Sequence, residues 1–300
     1  MLAVEYPVLR ASIHVVPADT ECLAHVAQTP TKRAHTLDEL KARVPETKKR
    51  VGHAAWYRQF DFQRTKAPHT RAYHKMREIA LSCALDPPSM SVHLCEAPGA
   101  FVVATAEFGA PDWTWIALSS ASGLAPFDHT LLPSDCGYFV TCDVRSYDEC
   151  TPHVPRSTAC LVTADGATGE HEALEEEHAD LLVAQTRLAI YCLRAGGTYV
   201  AKFFEGRCRA TTCAWIAWLT TIFGTVGIIK PTWSRATNSE RYLVARDFVG
   251  GSDIAKQLVM PPLHTIVVAE KWYQHLEGII DAMLGDQATH LHAALARHVL

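Results

Sequence analysis

The chain has 300 residues, of which 48% are hydrophobic and 20% are charged. These values are ordinary for a globular protein, and they exclude a largely disordered chain. The formal net charge is −4, so a nucleic-acid partner would have to be held by a local basic patch and not by the overall charge.

Targeting and redox signals favour the nucleus or the cytoplasm. The first residues, MLAVEYPVLR, lack the apolar segment of a secretory signal peptide, so we expect no secretion. The ten cysteines include no CxxC pair and show no zinc-site spacing, which predicts reduced thiols and no bound metal. The uncharged segment 210–229 contains five Thr and two Gly. We therefore predict a helix followed by a strand there, and no membrane span.

Residues 1–65 form an extension before the predicted core. A short helix is predicted for LDELKARV, with the basic cluster Lys48, Lys49 and Arg50 after it. Residues 51–70 are rich in aromatic and basic side chains, a composition that suits a surface for a planar and anionic partner. The alternative is a helix packed by its own aromatic residues, which are Trp56, Tyr57, Phe60 and Phe62.

From residue 70 onward, apolar segments of strand length alternate with longer helical patterns, which predicts a parallel sheet with crossover helices. The predicted strands are SVHLC, TWIALS, YFVTCDV, ACLVTA, GTYVAKFF, TVGIIKP and RYLVARDF. A long helix is predicted over residues 173–194 and a shorter one over 208–223, whose Trp215 and Trp218 we assign to the core. The fold class is therefore α/β, a seven-stranded, mostly parallel sheet with helices on both faces and one antiparallel strand at its edge.

The segment LCEAPGAF, residues 94–101, joins the first strand to the next helix by a turn of small residues. Gly99 has no Cβ to obstruct a ligand and can adopt a positive φ, while Pro98 fixes its own φ. Ligands of doubly wound sheets bind at the carboxyl ends of the strands, so this turn predicts a ligand site. The GxGxxG fingerprint is absent, which disfavours a dinucleotide.

Charged side chains gather at the same edge of the predicted sheet. Asp143 ends the third strand and Asp165 follows the fourth, while Glu240 precedes the last. Lys202 lies in an otherwise apolar strand, where an unpaired ammonium group would be costly to bury. Lys75 lies on a helix before the first strand. We therefore expect two lysines and two acids to converge on one pocket; the alternative for Lys202 is a side chain that reaches solvent from an edge strand.

The segments RAYHKMREI, LCEAPGAF, LVTADG, GGTYVAKFFEG and KPTWSRATNSERYLV resemble those of the FtsJ/RrmJ-type ribose 2′-O-methyltransferases over residues 66–248. Within that superfamily they are most similar to the mRNA cap methyltransferases of the Adrift or cap methyltransferase 2 branch, which includes short relatives in insect DNA viruses. The resemblance implies a Rossmann-like class I methyltransferase core over residues 66–250, followed by a helical extension over 251–300. It implies S-adenosyl-L-methionine as the methyl donor and the capped mRNA 5′ end as a partner, with capping or transcription proteins as further partners. It also favours a viral protein of an infected host cell.

The tetrad of that family, Lys-Asp-Lys-Glu, corresponds to Lys75, Asp165, Lys202 and Glu240. The resemblance implies that Lys202 takes or steers the proton of the ribose 2′-hydroxyl, and we expect burial and Lys75 to lower its pKa. The two acids would hold the lysines in place and balance their charge.

The resemblance also implies where the donor binds. Glu96 is expected near the amine of the donor, Ser119 near its ribose and Asp143 at its adenine, whereas His93 is expected to be an interior histidine. Ala100 stands where relatives have a second glycine, so this position should not need a positive φ. The predicted donor-binding residues are Cys95, Glu96, Ala97, Pro98, Gly99, Ala100, Phe101, Ser119, Asp143, Val144 and Asp165.

A cap presents a cationic methylated guanine, which stacks on aromatic rings, and phosphates, which bind arginine or lysine. The predicted RNA or cap contacts are Trp56, Tyr57, Arg71, Arg207, Trp233 and Arg235. Three functions remain open: methylation of the first or second transcribed nucleotide of capped mRNA, methylation of uncapped ribosomal or transfer RNA, and a catalytically silent subunit of a capping complex. The complete tetrad disfavours the third.

Overall fold

The protein is described here by a computed structural model. It describes residues 13–16, 39–51, 70–121, 127–128, 130, 135–167, 175–204, 209–235, 238–250, 276, 278–279, 282, 285, 288–293 and 295–296. The strands are β1 (Ile13–Val16), β2 (Met90–Leu94), β3 (Thr114–Ser119), β4 (Gly137–Thr141), β5 (Ala159–Ala164), β6 (Leu193–Phe204), β7 (Phe223–Ile229) and β8 (Glu240–Phe248). The helices are α1 (Val44–Val51), α2 (Arg71–Ser82), α3 (Ala100–Ala106), α4 (Tyr147–Cys150), α5 (Glu175–Cys192) and α6 (Arg209–Ile222).

The strands form one sheet in the order β1-β7-β8-β6-β5-β2-β3-β4. The strands β6, β5, β2, β3 and β4, which are neighbours in this order, run parallel to one another, whereas β8 is antiparallel to both β6 and β7. All seven predicted strands are present and the mostly parallel Rossmann-like sheet is confirmed. Two details differ from the prediction. First, the antiparallel strand β8 lies between β6 and β7 and not at the edge, a position in which its backbone has hydrogen-bond partners on both sides. Second, β1 is an additional strand that pairs antiparallel with β7.

Helices cover both faces of the sheet. Side chains of α2 and α3, such as Met76 and Phe101, pack with Val200 and Tyr242 on one face. Alternate residues of β6 point to the opposite face, where Phe203 joins a cluster that contains side chains of α5 and α6. Trp215 and Trp218 of α6 are 0% and 9% exposed, which confirms their assignment to the core.

Helix α1 contains the basic cluster that the sequence analysis placed after a helix. Residues 39–42 are helical, Arg43 is a turn, and α1 then begins at Val44. Pro45 is tolerated in the first turn of a helix, where its missing N–H is not needed. Lys48, Lys49 and Arg50 lie in the last turn, where cations interact favourably with the helix dipole. The helix therefore includes these cations and does not end before them.

Two cysteines differ from the predicted reduced thiols. Cys142 and Cys150 form a disulfide, with their Cα atoms 6.1 Å apart. The backbone N–H groups of Glu149 and Cys150 both donate to the carbonyl of Ser146, and this turn brings α4 back to the end of β4. The six cysteines that the structure shows as thiols are Cys83, Cys95, Cys136, Cys160, Cys192 and Cys213.

The segment 210–229 follows the prediction, because it forms most of α6 and the whole of β7. No helix within the described residues combines the length and the apolar character that a membrane crossing requires. The described residues between 276 and 296 are helical, and Leu291 and Leu295 are buried. The division into an extension, a core and a helical extension stays a prediction.

Candidate active site

The predicted tetrad residues meet at the carboxyl ends of β5 and β6. Asp165 directly follows β5, and its N–H donates to the carbonyl of Leu94 at the end of β2 (3.2 Å). Because β8 is antiparallel to β6, its first residue, Glu240, is paired with Phe204 at the end of β6. The same register pairs Lys202 with Tyr242, so all four of these β6 and β8 side chains share the sheet face that α2 and α3 cover.

Two ion pairs connect the tetrad. Lys75 Nζ of α2 lies 2.6 Å from Glu240 Oε1, with side chains 11% and 9% exposed. Lys202 Nζ lies 3.1 Å from Asp165 Oδ1, with side chains 9% and 18% exposed. Lys202 Nζ also donates to the backbone carbonyl of Asp165 (2.6 Å). The sequence therefore predicted this convergence correctly, while the catalytic roles of the four residues stay predictions.

The electrostatics of the tetrad differ from the prediction in one respect. Burial alone would raise the pKa of Glu240, but the ammonium groups of Lys75 and Lys202 lower that pKa to about 2. Burial alone would lower the pKa of Lys202, but the carboxylates of Asp165 and Glu240 outweigh it and raise the pKa above its ordinary value. The predicted lowering of the Lys202 pKa is thus wrong for the protein without donor or RNA, because the attraction of two carboxylates outweighs the effect of burial.

Two uncharged residues at the tetrad were missed by the sequence analysis. Tyr242 is fully buried, and its hydroxyl donates to Asp165 Oδ1 (2.7 Å). Burial and the nearby Asp165 raise the pKa of Tyr242 well above its ordinary value, so the hydroxyl keeps its proton. Ser234 Oγ donates to Glu240 Oε1, the oxygen that also contacts Lys75. Both residues lie in the motif KPTWSRATNSERYLV, so the only available signal was their place beside Glu240.

The loop after β2 has the backbone conformation that its small residues predict. Gly99 has φ 111° and ψ 12°, a left-handed conformation that favours glycine, and it immediately precedes α3. Its N–H donates to the carbonyl of Glu96 (2.6 Å), and Val103 N–H donates to the carbonyl of Gly99 (3.1 Å). Ala100 begins α3 and is not among the residues with positive φ, which confirms that this position needs no glycine.

Glu96 is a buried carboxyl group at the centre of this loop. Its Oε1 accepts hydrogen bonds from Phe101 N–H (2.6 Å) and Val102 N–H (3.3 Å) at the start of α3. Its Oε2 is buried and has no hydrogen-bond partner among the described residues. Burial, followed by the charge of Asp165, raises the pKa of Glu96 well above its ordinary value. An unsatisfied buried acceptor of this kind is costly unless a donor group reaches it.

Asp143 and Ser119 lie at the ends of the neighbouring strands. Ser119 is the last residue of β3 and is buried, as is Val144 after β4. Asp143 accepts hydrogen bonds from the backbone N–H and the guanidinium of Arg145, and these bonds lower its pKa. An adenine contact of Asp143 would therefore be made by a carboxylate already held by arginine.

These residues fit the S-adenosylmethionine that the resemblance implies. The donor carries two cationic groups, an ammonium and a sulfonium, and the carboxyl groups of Glu96, Asp143 and Asp165 follow the parallel strands β2, β4 and β5. Glu96 Oε2 offers a buried acceptor without a partner in the described part of the chain, and Gly99 has no Cβ at the turn. The remaining loop residues, Cys95, Ala97 and Pro98, bring backbone to the same place.

His93 is an interior histidine, as predicted. Its ring nitrogens lie 2.8 Å from Ser91 Oγ and 2.8 Å from Thr163 Oγ1, and its side chain is fully buried. Burial lowers its pKa to about 3, so the ring is neutral. This histidine therefore joins β2 to β5 and is not exposed to a ligand.

The predicted RNA contacts are only partly described. Arg71 donates from Nε (3.0 Å) and from a terminal nitrogen (2.6 Å) to the carbonyl of Trp233, so its guanidinium holds the segment before β8. The ring of Trp233 stacks on His74, with centroids 3.9 Å apart and planes 13° apart. Arg235 lies two residues further on. Trp56, Tyr57 and Arg207 lie outside the described residues, and all of these RNA contacts stay predictions.

Comparisons with known proteins give the family. The family described as FtsJ-like methyltransferase matches residues 68–248, which is more than half of the chain. The chain is 31% identical over 233 residues to the cap-specific mRNA (nucleoside-2'-O-)-methyltransferase 2 of Danio rerio, covering 66% of this chain and 30% of that protein. It is 36% identical over 112 residues to the tRNA (cytidine(32)/guanosine(34)-2'-O)-methyltransferase of Schizosaccharomyces pombe, covering 36% of this chain and 38% of that protein.

A solved structure of a Plasmodium falciparum ribosomal RNA methyltransferase covers 61% of this chain and 99% of that chain, with a TM-score of 0.48 and 19% identity. The chain spans only 30% and 38% of the two curated relatives named above. The family match extends from the residues before α2 to the end of β8, and so includes all four tetrad residues and the loop around Gly99. The chain therefore belongs to the FtsJ-like methyltransferase family, whose methyl donor is S-adenosylmethionine.

Proposed function

We propose that this protein transfers a methyl group to a ribose 2′-hydroxyl of RNA. The observation that carries the proposal is the pair of buried ion pairs, Lys75 with Glu240 and Lys202 with Asp165, beside a loop that fits the donor. Buried charged groups are expensive to maintain unless they are paired, and such clusters occur preferentially at functional sites. The names of both relatives reported above specify 2′-O methylation, of mRNA caps in one case and of tRNA in the other.

The chemistry assigns a distinct task to each residue. S-adenosylmethionine would supply a methyl group on a positively charged sulfur, whose S–CH3 bond breaks on transfer to leave a neutral thioether. A 2′-hydroxyl is a poor nucleophile, so its oxygen must be aligned with the methyl carbon and must lose its proton as the new C–O bond forms. Lys202 Nζ in its neutral form is the acceptor of that proton, and the carboxylate and the carbonyl of Asp165 fix its position. Lys75, held by Glu240, provides a fixed positive charge beside the oxygen as it becomes negative.

The raised pKa of Lys202 predicts how the rate depends on pH. Because the folded protein holds Lys202 in its charged form at neutral pH, the neutral fraction that can accept a proton grows about tenfold for each unit of pH. We expect the single-turnover rate to rise with nearly that slope between about pH 7 and pH 9. The measurement is methyl transfer from labelled donor at saturating concentrations. A rate independent of pH over this interval would contradict the role of Lys202 as a base.

We further propose the capped 5′ end of mRNA as the substrate. Trp233 directly precedes Ser234, whose hydroxyl contacts Glu240, and its ring stacks on His74, the neighbour of Lys75 in α2. One face of this ring is stacked on His74, and a ring held in this way is suited to stack on a cationic base such as a methylated guanine. The match to the cap methyltransferase extends over 233 residues, compared with 112 for the tRNA enzyme. Uncapped tRNA is the second candidate, because that shorter match has the higher identity.

The substrate is tested with labelled S-adenosylmethionine and a series of short RNAs of one sequence that differ only in the 5′ end. The ends are an N7-methylated cap, an unmethylated guanosine cap and a triphosphate, and an unmodified tRNA is a fourth substrate. We expect label on capped RNA, and nuclease digestion then locates it on the first or the second nucleotide. Transfer to tRNA alone would support the second candidate. Transfer to a base, or no transfer, would contradict the proposed reaction.

A further inference from the structure

One face of helix α2 carries more than the catalytic lysine. Arg71, His74, Lys75 and Glu78 are spaced three, four and seven residues from the first, which places them on one side of the helix. Lys75 contacts Glu240, and the other three contact the segment 231–235 that leads from β7 to β8. This face therefore contacts both Glu240 and the chain that precedes it.

Glu78 makes the largest number of these contacts. Thr232 N–H donates to both carboxylate oxygens (2.8 Å each), and Thr232 Oγ1 donates to Oε2 (2.9 Å). Trp233 N–H adds a longer hydrogen bond to Oε2 (3.4 Å). Arg71 then donates to the carbonyl of Trp233, and His74 stacks on its ring. Glu78 thus accepts from the backbone N–H groups of Thr232 and Trp233, and Arg71 donates to the carbonyl of Trp233.

The held backbone ends in a turn that contacts the tetrad. Ser234 N–H donates to the carbonyl of Pro231 (2.9 Å), which closes the turn. Ser234 is 4% exposed, and its hydroxyl donates to Glu240 Oε1. Lys75 Nζ contacts the same oxygen. A shift of this turn would therefore move one of the two groups that fix the position of the Glu240 carboxylate.

We propose that Glu78 and Ser234 are positioning residues for methyl transfer. Glu78 fixes the turn of residues 231–234 against α2, and Ser234 in turn fixes Glu240 Oε1 against Lys75. The inference rests on the proposed function, because it assumes that the Lys75–Glu240 pair takes part in the reaction. Neither residue is assigned a contact with the donor or with RNA.

A second anchor keeps α2 in place independently of the turn. On another side of the helix, two residues of α2 contact Glu107, the residue that follows α3. Tyr73 OH donates to Glu107 Oε1, and Arg77 Nε lies 3.0 Å from Glu107 Oε2. Substitution of Glu107 therefore weakens the docking of α2 without touching the segment 231–235. It is the matched control for a substitution of Glu78, since each substitution removes one carboxylate from the contacts that hold α2.

The first experiment compares E78A, S234A and E107A by single-turnover methyl transfer across pH. Misplaced catalytic groups lower rates by up to about 10²-fold, so we expect E78A and S234A to lose between about 10-fold and 100-fold in rate with unchanged donor affinity.

Glu240 faces Lys75 from α2, Lys202 from β6, Ser234 from the turn and Tyr242 on its own strand. A looser contact with Lys75 raises the pKa of Glu240, so the steeper acid limb, where the rate falls by more than the tenfold per pH unit set by Lys202, should begin at a higher pH in both variants. E107A should leave that limb unchanged, and E78Q should restore part of the rate because its amide can still accept from Thr232.

The second experiment measures the Lys75–Glu240 pair without using activity. A double-mutant cycle of K75A and E240Q gives their coupling in the free energy of unfolding, and it is repeated in the E78A, S234A and E107A backgrounds. We expect the coupling to fall in the first two backgrounds and to persist in the third. Unchanged coupling and an unchanged acid limb in E78A and S234A would overturn the proposal, as would an equal effect of E107A. A loss of coupling in a protein that methylates no RNA would contradict the proposed function and leave the positioning intact.

Discussion

Replacing Lys202 with alanine is expected to lower the rate of 2′-O-methyl transfer by about 10²- to 10⁴-fold, the contribution usual for a general base. The substitution removes the ammonium group that forms an ion pair with Asp165 Oδ1 at 3.1 Å. The measurement is single-turnover transfer of label to capped RNA. The affinity for the donor, measured by calorimetry, should change little, because the substitution does not alter the loop around Gly99.

The informative control is K202R. Arginine keeps the positive charge beside Asp165 but cannot be deprotonated in a protein. If Lys202 accepts the proton, K202R should be nearly as inactive as K202A. If K202R retains the wild-type rate, Lys202 acts as a fixed cation and its assignment as a base is wrong.

Replacing Glu96 with glutamine is expected to weaken S-adenosylmethionine binding by about 10- to 100-fold. We propose that the donor's ammonium reaches Glu96 Oε2, the buried oxygen for which the described residues supply no partner. A hydrogen bond between charged groups contributes about 1.5–3 kcal/mol, which corresponds to this loss. Calorimetric titration of the donor in the absence of RNA measures it, with E149Q on α4 as a control of equal charge change. Equal affinity of E96Q and the wild type would exclude the contact.

The raised pKa of Glu96 gives this variant a second signature. The folded protein without donor binds a proton at Glu96 above the pH at which the unfolded chain releases it. This group therefore stabilises the fold least at high pH, since stability falls as pH rises from the unfolded pKa through the folded pKa. E96Q should remove that fall in thermal unfolding experiments. Donor binding to the wild type should release a proton and strengthen with pH, and binding to E96Q should not.

The strand pattern and the convergence of the tetrad could be predicted because they follow from local sequence. Asp165 and Lys202 lie at the ends of neighbouring apolar segments, and parallel strands bring such ends to one edge. Gly99 could be recognised as a residue able to adopt a positive φ, and the turn before α3 uses this freedom. The resemblance added the donor and the identification of these four residues as a catalytic tetrad.

The sign of the Lys202 pKa shift could not be predicted, since it depends on distances. Burial lowers it and two carboxylates raise it, and only the 3.1 Å separation from Asp165 and the proximity of Glu240 decide between them. The hydrogen bonds of Ser234 and Tyr242 depend on the register of β6 and β8, which pairs Lys202 with Tyr242. The Cys142–Cys150 disulfide depends on the turn at Ser146, whose geometry the cysteine spacing does not specify.

The reversed direction of β8 has a consequence for how this edge of the site is assembled. A parallel strand would have to return across the full height of the sheet before it could deliver an acid to this rim, whereas β8 starts at the rim with Glu240. Both termini of the connector from β7 are fastened: Glu78 holds Thr232, and Lys230 Nζ donates to Asn238 and to the Glu240 carbonyl. The connector is thus anchored at both ends, so an insertion within it should be tolerated only where it leaves Ser234 in contact with Glu240.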